Sequence, residues 1–301
     1  MSTNYNILIP DLIRLIKQAG DVVMPFYLGK NAAVFEKEGG RPVTEADYAS
    51  NAVIMDGLKT LTPHIPIISE ETSEAQPDIS QGTFWTVDPL DDTKQFIEGT
   101  NGFSILIGLV VDYQPVIGLI YHPARDLLYV GADGKAYKQD MSGVIKNIHV
   151  SSLKDNRQKG VNVAVNERYS DIKTAYNLLG LKDGEAQSSR MQIAGYHVDH
   201  YIRKSDTYLY ALLAEGAIDI LPNIGRREDK GAWIWDVVPG LALVKAAGGF
   251  YKDLNGKDIT IGLSSNPLRL PAHQAVSHPR YLGQKAQVKI SPHSRLPQPQ
   301  S

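Results

Sequence analysis

The chain has 301 residues, with 31 Lys and Arg against 33 Asp and Glu, a formal charge of −2, 43% apolar residues and no cysteine. That length is enough for one large or two mid-sized domains with an ample core. The lack of cysteine excludes disulfides, thiolate zinc sites, iron–sulfur clusters and a cysteine nucleophile, while near-neutrality argues against a nucleic-acid polymer as partner and against a disordered chain.

The first ten residues, MSTNYNILIP, carry no basic or apolar signal region, so the chain reads as cytoplasmic. From residue 7 to 27, Leu8, Leu12, Ile16, Ala19, Val23 and Phe26 recur at three- and four-residue steps, which predicts a helix stopped at Gly29. A second helix is expected to start at Thr44, a good N-cap, and to run to about residue 60, before Pro63. Short apolar runs follow at 65–68, 84–87, 103–111, 115–121 and 127–131, and they read as strands of an antiparallel or mixed sheet. The run at 103–111 is the longest, about half of what a bilayer span needs, so no integral membrane segment is expected.

Past a polar stretch at 151–159 the pattern alternates: a strand at 161–165, helices at 171–179 and 208–214, a strand at 218–221, and a helix at 236–247 ending at Gly248-Gly249. The pattern predicts an N-terminal α+β domain (1–155), a C-terminal α/β domain (156–283) and a flexible tail (284–301) with three prolines and no acid.

The small net charge conceals a local excess. Between Glu70 and Glu98 stand eight acids and one base, Lys94, a net of −7. Glu70 and Glu71 follow one predicted strand, Asp88 and Asp91 follow the next, and Asp236 opens a predicted helix. Carboxylates at such junctions can converge in a crevice, where hard oxygen ligands suit Mg²⁺, Mn²⁺ or Ca²⁺. Pro89 fixes the backbone between Asp88 and Asp91, so that both carboxylates and the Leu90 carbonyl can face one point. A short helix starting near Asp91 would offer the amides of Asp92 and Thr93 to a phosphate. His197 and His200 could meet on a helix, but with no third ligand evident they are read as surface or capping residues.

The string Asp88-Pro-Leu-Asp-Asp-Thr-Lys-Gln-Phe96 resembles the D-P-[IL]-D-G-T-x-x-F motif of the lithium-sensitive, magnesium-dependent phosphatases related to inositol monophosphatase. Trp235-Asp-Val-Val-Pro-Gly240 through Gly248-Gly249 resembles that family's second signature, and Pro42-Val-Thr-Glu-Ala-Asp47 and Ser69-Glu-Glu71 resemble its other acidic elements, in the same order. The resemblance spans roughly residues 10 to 265 and implies a layered α/β/α/β/α sandwich of the inositol monophosphatase and fructose-1,6-bisphosphatase type. Residues 53–63, Lys94 and Gly134-Lys-Ala-Tyr137 are most similar to the 3′(2′),5′-bisphosphate nucleotidase branch, which removes the 3′-phosphate from adenosine 3′,5′-bisphosphate. Alternatives within the family are an inositol monophosphate or sugar bisphosphate phosphatase.

Carried over by position, the resemblance implies two to three Mg²⁺ ions, with Mn²⁺ as a substitute and Li⁺ as an inhibitor. Glu70, Asp88 and the Leu90 carbonyl would hold the first ion; Asp88, Asp91 and Asp236 the second; Asp91 could share a third. Thr93 with Glu70 or Asp47 would orient and deprotonate the attacking water. The implied partner is a small phosphorylated substrate, and a homodimer is compatible with the family.

Two features depart from the pattern. Asp92 stands where the family has glycine; either its amide still serves the phosphate, or its carboxylate weakens the site, leaving a phosphate- or nucleotide-binding homologue. Between Leu221 and Trp235 the chain is longer than expected and contains Arg226-Arg227, either a solvated loop or, with Lys94, binders of the substrate's other phosphate.

Overall fold

The computed structural model describes residues 4–37, 41–72, 77–152, 161–166, 191–193, 196–204, 208–223, 232–253, 255–263, 266–282 and 287–288. Helix α1 (Ile9–Gly29) buries Leu12, Leu15, Ile16, Ala19 and Val23, the stripe expected from its spacing. Its left-handed cap falls on Lys30 rather than on Gly29. Helix α2 (Glu45–Leu61) starts where predicted, and Thr44 and Asp47 form a reciprocal capping box at its first turn. Between the helices lies an unanticipated hairpin, β1 (Val34–Lys37) paired antiparallel with β2 (Arg41–Thr44).

The first large sheet follows chain order: β3 (Ile67–Ser69), β4 (Phe84–Asp91), β5 (Ser104–Val111), β6 (Gln114–His122), β7 (Leu127–Ala132), β8 (Lys135–Gln139) and β9 (Ile145–Ile148). Only β3 and β4 are parallel; every other neighbour is antiparallel. Asp112 and Tyr113, both at positive φ, make the two-residue turn from β5 to β6. Beyond β4 a short helix, α3 (Thr93–Ile97), leaves the sheet end.

The first sheet is covered on both faces. On one side α1 and α2 pack over Trp85, Val87, Ile105, Ile107 and Leu119. On the other, α4 (Tyr208–Ala214) and α5 (Ile234–Ala246) pack over Phe84, Leu106, Val110 and Ile120, and the same core continues into the second sheet through Ala164, Leu221 and Ala275. The second sheet runs β15 (Phe250–Asp253), β17 (His273–Val276), β13 (Ile220–Asn223), β10 (Val161–Asn166), β12 (Tyr196–Lys204), β11 (Met191–Ile193) and β18 (Gln287–Val288). A small pair, β14 (Ala232–Trp233) with β16 (Arg269–Leu270), leads into α5. The described layers are therefore helix, sheet, helix, sheet. The helix predicted at 171–179 lies outside the described residues.

Helix α5 is buried on nearly every side, and the sheet makes room for it. Thr86, Gly108, Gly118, Gly131 and Ala136 are successive cross-strand partners, so three glycines form a row across β5, β6 and β7. A Cβ on Gly118 would lie 2.0 Å from the Pro239 carbonyl oxygen, and one on Gly131 would lie 2.5 Å from Leu243 Cα. The helix backbone rests in that trough.

Several boundaries differ from the expectations. The strand expected to end at Val87 continues to Asp91, because the neighbouring β5 keeps offering partners beyond the Asp-Pro step. Residues 65–66 precede β3, and the strand expected at 218–221 is β13, two residues later. Helix α5 begins at Ile234, so Asp236 lies within its first turn rather than opening it. His197 and His200 lie on strand β12, so their helical pairing has no helix to rest on. Within the segment expected as a flexible tail, Gln287–Val288 pairs with β11.

Candidate metal centre

Strand β4 would place Asp88 and Asp91 on opposite faces if it were regular, because side chains alternate. It is not regular: Asp88 pairs with Leu106 and Asp91 with Ser104, three residues against two. This bulge returns both acids to the face covered by α5. Leu90 N donates to Asp88 Oδ1 at 3.1 Å, and the Pro89 carbonyl accepts from Ser50 Oγ at 2.7 Å, tying the bulge to α2.

The Glu70–Glu71 turn is held from beneath. Glu70 N donates to the Val87 carbonyl at 3.1 Å, Glu71 N to Ser69 Oγ at 3.2 Å, and Ser69 Oγ to Asn51 Oδ1 at 2.7 Å. Glu70, Asp88 and Asp236 each bring a carboxylate oxygen within 4.8 Å of the other two, the one such triad among the described residues. Six ligands at 2.0–2.1 Å around Mg²⁺ place oxygens roughly 3 to 4.2 Å apart. The three carboxylates are therefore near enough to share one divalent ion after a modest closure. Asp88 is 1% exposed; burial, then Glu70, Asp91 and Asp236, push its carboxyl well above the usual range. A buried anionic cluster of this kind needs cations.

Asp91 is also buried, and Ser104 Oγ lies 3.4 Å from its Oδ2. The Leu90 carbonyl lies 3.1 Å from Thr93 Oγ1, and that hydroxyl is equally 3.1 Å from Asp47 Oδ1. Asp47 Oδ2 accepts from Thr44 N at 2.8 Å and from Thr44 Oγ1 at 2.6 Å. Burial raises the Asp47 carboxyl to about 6, against the opposing effect of those hydrogen bonds.

The short helix begins at Thr93 rather than Asp91, and Asp92 is its N-cap at φ 64°, ψ 45°, a left-handed backbone that glycine adopts without strain. The Asp92 side chain is buried. Lys94 is exposed, 3.8 Å from Glu98 on the next turn. Arg226 and Arg227 lie outside the described residues. Trp85 packs on the α1–α2 side and donates through Nε1 to Thr62 Oγ1 at 2.8 Å; Trp235 stacks on Trp233, ring centroids 4.7 Å apart. A cleft of about 880 Å³ at the other end of α5, bordered by Asn6, Thr83, Asp112 and Lys245, contains none of these acids.

Sequence reasoning missed Lys37. It stands at the end of β1 with its side chain only 16% exposed, its ammonium 3.3 Å from Glu70 Oε1 and in direct contact with Glu71 Oε1. Burial draws its pKa down, but Glu70, Glu71 and Asp88 outweigh that and raise it. Burial likewise pushes Glu71 up to about 7, against the pull of Lys37. The Gly39-Gly40 pair, between the strand formers Val34-Phe35 and Val43-Thr44, was a legible hairpin signal.

The sequence model of the inositol monophosphatase family matches residues 8–290. The chain belongs to the inositol monophosphatase family. Among curated members of this family, the 3′(2′),5′-bisphosphate nucleotidase CysQ of Escherichia coli O6:H1 is 33% identical over 255 residues, covering 84% of this chain and 93% of that protein. Inositol monophosphatase 3 of Solanum lycopersicum is 28% identical over 260 residues, covering 83% and 87%. The solved structure of CysQ from Bacteroides thetaiotaomicron superposes with a TM-score of 0.67 at 23% identity, covering 89% of this chain and 96% of that one. This chain and that structure share the layered α/β sandwich, and the family is metal-dependent. No helix among the described residues is long and apolar enough to cross a membrane.

Proposed function

We propose that this chain is a divalent-cation-dependent phosphomonoesterase that hydrolyses the 3′-phosphate of adenosine 3′,5′-bisphosphate, leaving AMP. The observation that carries the reading is the convergence of Glu70, Asp88 and Asp236 beside the Thr93–Asp47 pair, in a chain similar over most of its length to proteins named for that substrate class. Glu70, Asp88, Asp236, Asp91 and the Leu90 carbonyl would hold two to three Mg²⁺ ions. When bound, these ions supply Lewis acidity at the attacking water and charge balance at the leaving oxygen.

The chain's own residues do the rest. Thr93 Oγ1 donates its proton to Asp47 and turns its lone pairs to the water, so that a proton leaving the water passes through Thr93 to Asp47. Thr44 fixes Asp47 from behind and keeps the acceptor oxygen aimed. A carboxyl held at about 6 is a stronger base than a surface aspartate, yet still ionised at neutral pH. The amides of Asp92 and Thr93 seat the phosphate, and Arg226, Arg227 and Lys94 are assigned to the substrate's second phosphate.

The test is phosphate release from adenosine 3′,5′-bisphosphate, inositol 1-phosphate and fructose 1,6-bisphosphate, with Mg²⁺, with Mg²⁺ plus Li⁺, and after chelation. The nucleotide should be turned over fastest, Li⁺ should inhibit, and chelation should abolish release. Faster release from inositol 1-phosphate would move the chain to the other branch, and activity after full chelation would defeat the mechanism.

A further inference from the structure

The triad is not the whole of the charge at this site. Glu70 is shared: a carboxylate oxygen of it lies within 4.8 Å of Asp88 and Asp236, and its Oε1 lies 3.3 Å from the Lys37 ammonium, which also contacts Glu71. Lys37 is delivered by an element separate from all the acids, the β1–β2 hairpin, whose far strand runs into Thr44 and the Asp47 cap. Its side chain is 16% exposed and that of Glu71 only 2%. An ammonium so placed is enclosed, rather than a passing surface contact of the kind worth little.

We propose that Lys37 is the resident cation of the acidic site. It holds Glu70 and Glu71 in place while no divalent ion is bound, and it competes with the ion for Glu70. The inference rests on the reading that Glu70 takes a divalent ion. Two cations sharing one carboxylate repel each other strongly inside a protein. The ammonium, on a flexible four-carbon stem, can withdraw, whereas Asp88 on β4 and Asp236 on α5 cannot. Lys37 is thus a positioning residue: it keeps buried carboxylates tolerable in the ion-free fold and loosens the ion's hold on Glu70.

The experiment is Mn²⁺ titration of the full chain, read by electron paramagnetic resonance of free Mn²⁺, without substrate. Lys37→Gln should bind the first Mn²⁺ about tenfold more tightly than the unaltered chain, because a competing charge is gone. Lys37→Arg, which keeps the charge, should stay within about twofold. Equal or weaker binding by Lys37→Gln would overturn the proposal. A second measurement needs no variant: acetic anhydride labelling of Lys37, read by peptide mass, should rise several-fold when Mn²⁺ is added, while exposed Lys94 is unchanged. Labelling of Lys37 that ignores Mn²⁺ also overturns it. Mn²⁺ behaviour as expected with no phosphate release from any substrate would defeat the phosphatase reading and leave this one standing; phosphate release with unaltered Mn²⁺ affinity in Lys37→Gln would do the reverse.

Discussion

Two walls of the site are built by different means. The β4 wall is local: within four residues a bulge, a proline and the hydrogen bond from Leu90 N to Asp88 aim the acids, and Ser50 ties the segment to the adjacent helix. The α5 wall is remote: Asp236 reaches the triad because a helix buried on almost every side lies in a trough of three cross-strand glycines. The first wall depends on backbone geometry at one point, the second on the register of a whole sheet. Damage to them should therefore differ in kind.

The sharpest break is Gly118→Ala. Its new methyl meets a carbonyl oxygen 2.0 Å away that belongs to a helix backbone, so neither side can yield cheaply. The variant should lose about 3 kcal/mol or more in urea unfolding, and with it the proposed divalent-ion site. Ile16→Val, in the core on the opposite face of the sheet, should cost only about 1 kcal/mol and leave ion binding intact. Equal costs would show that the glycine row does not locate α5.

Removing only the acid that α5 delivers separates position from charge. Asp236→Asn should reduce phosphate release roughly a hundredfold, since the proposed ion would lose one of its three carboxylates. The ion-free protein should instead melt about 2 °C higher, because one of the negative charges that push the Asp88 carboxyl upward is gone. A lower melting temperature for ion-free Asp236→Asn would mean that the carboxylate is a structural partner rather than a strained ligand.

Asp47 gives a pH test on the local side. Its carboxyl is raised from 3.8 to about 6, so between those values the folded state keeps a proton that the unfolded state has released. Stability of the ion-free protein therefore falls as pH rises through this window, and about 1 kcal/mol should go between pH 5 and 7. Glu71, raised to about 7, adds to the same slope, and Lys37, with its pKa raised, does not titrate there. Urea unfolding of Asp47→Asn should show a shallower pH dependence; an unchanged slope would remove Asp47 from the account.

The same contrast explains what the sequence disclosed. α1 was legible because its buried stripe alternates with exposed residues, and α2 because Thr44 marks its cap. Glu70, Asp88 and Asp236 stood out as acids at element ends, although none carries a signal that the three meet. The bulge was hidden because Asp-Pro reads as a turn, so the strand was ended at Val87. The glycine row was hidden too: Gly108, Gly118 and Gly131 become neighbours only once β5, β6 and β7 are in register. Lys37 belonged to no motif, and its role follows from a hairpin that folds it onto acids more than thirty residues away.

The smallest expected effect tests how finely the β4 wall is tuned. Asp92 occupies a left-handed backbone at the start of α3, which costs an L-residue about 1 kcal/mol, less for aspartate than for most. Glycine would relieve that strain but bring more unfolded-state entropy, of about 0.5–1 kcal/mol, so Asp92→Gly should change stability by no more than about 0.5 kcal/mol. Its effect on anions should be larger than its effect on folding. Asp92 is buried and stands between Asp91 and Thr93 in the chain, so deleting its carboxylate lowers the negative potential at the proposed phosphate seat. Inhibition by inorganic phosphate should tighten up to about tenfold in Asp92→Gly. Asp92→Asn, which tolerates the same backbone and also removes the charge, should tighten it equally. Tightening by glycine alone would trace the effect to the backbone, and no tightening by either would leave the carboxylate without influence on the phosphate seat.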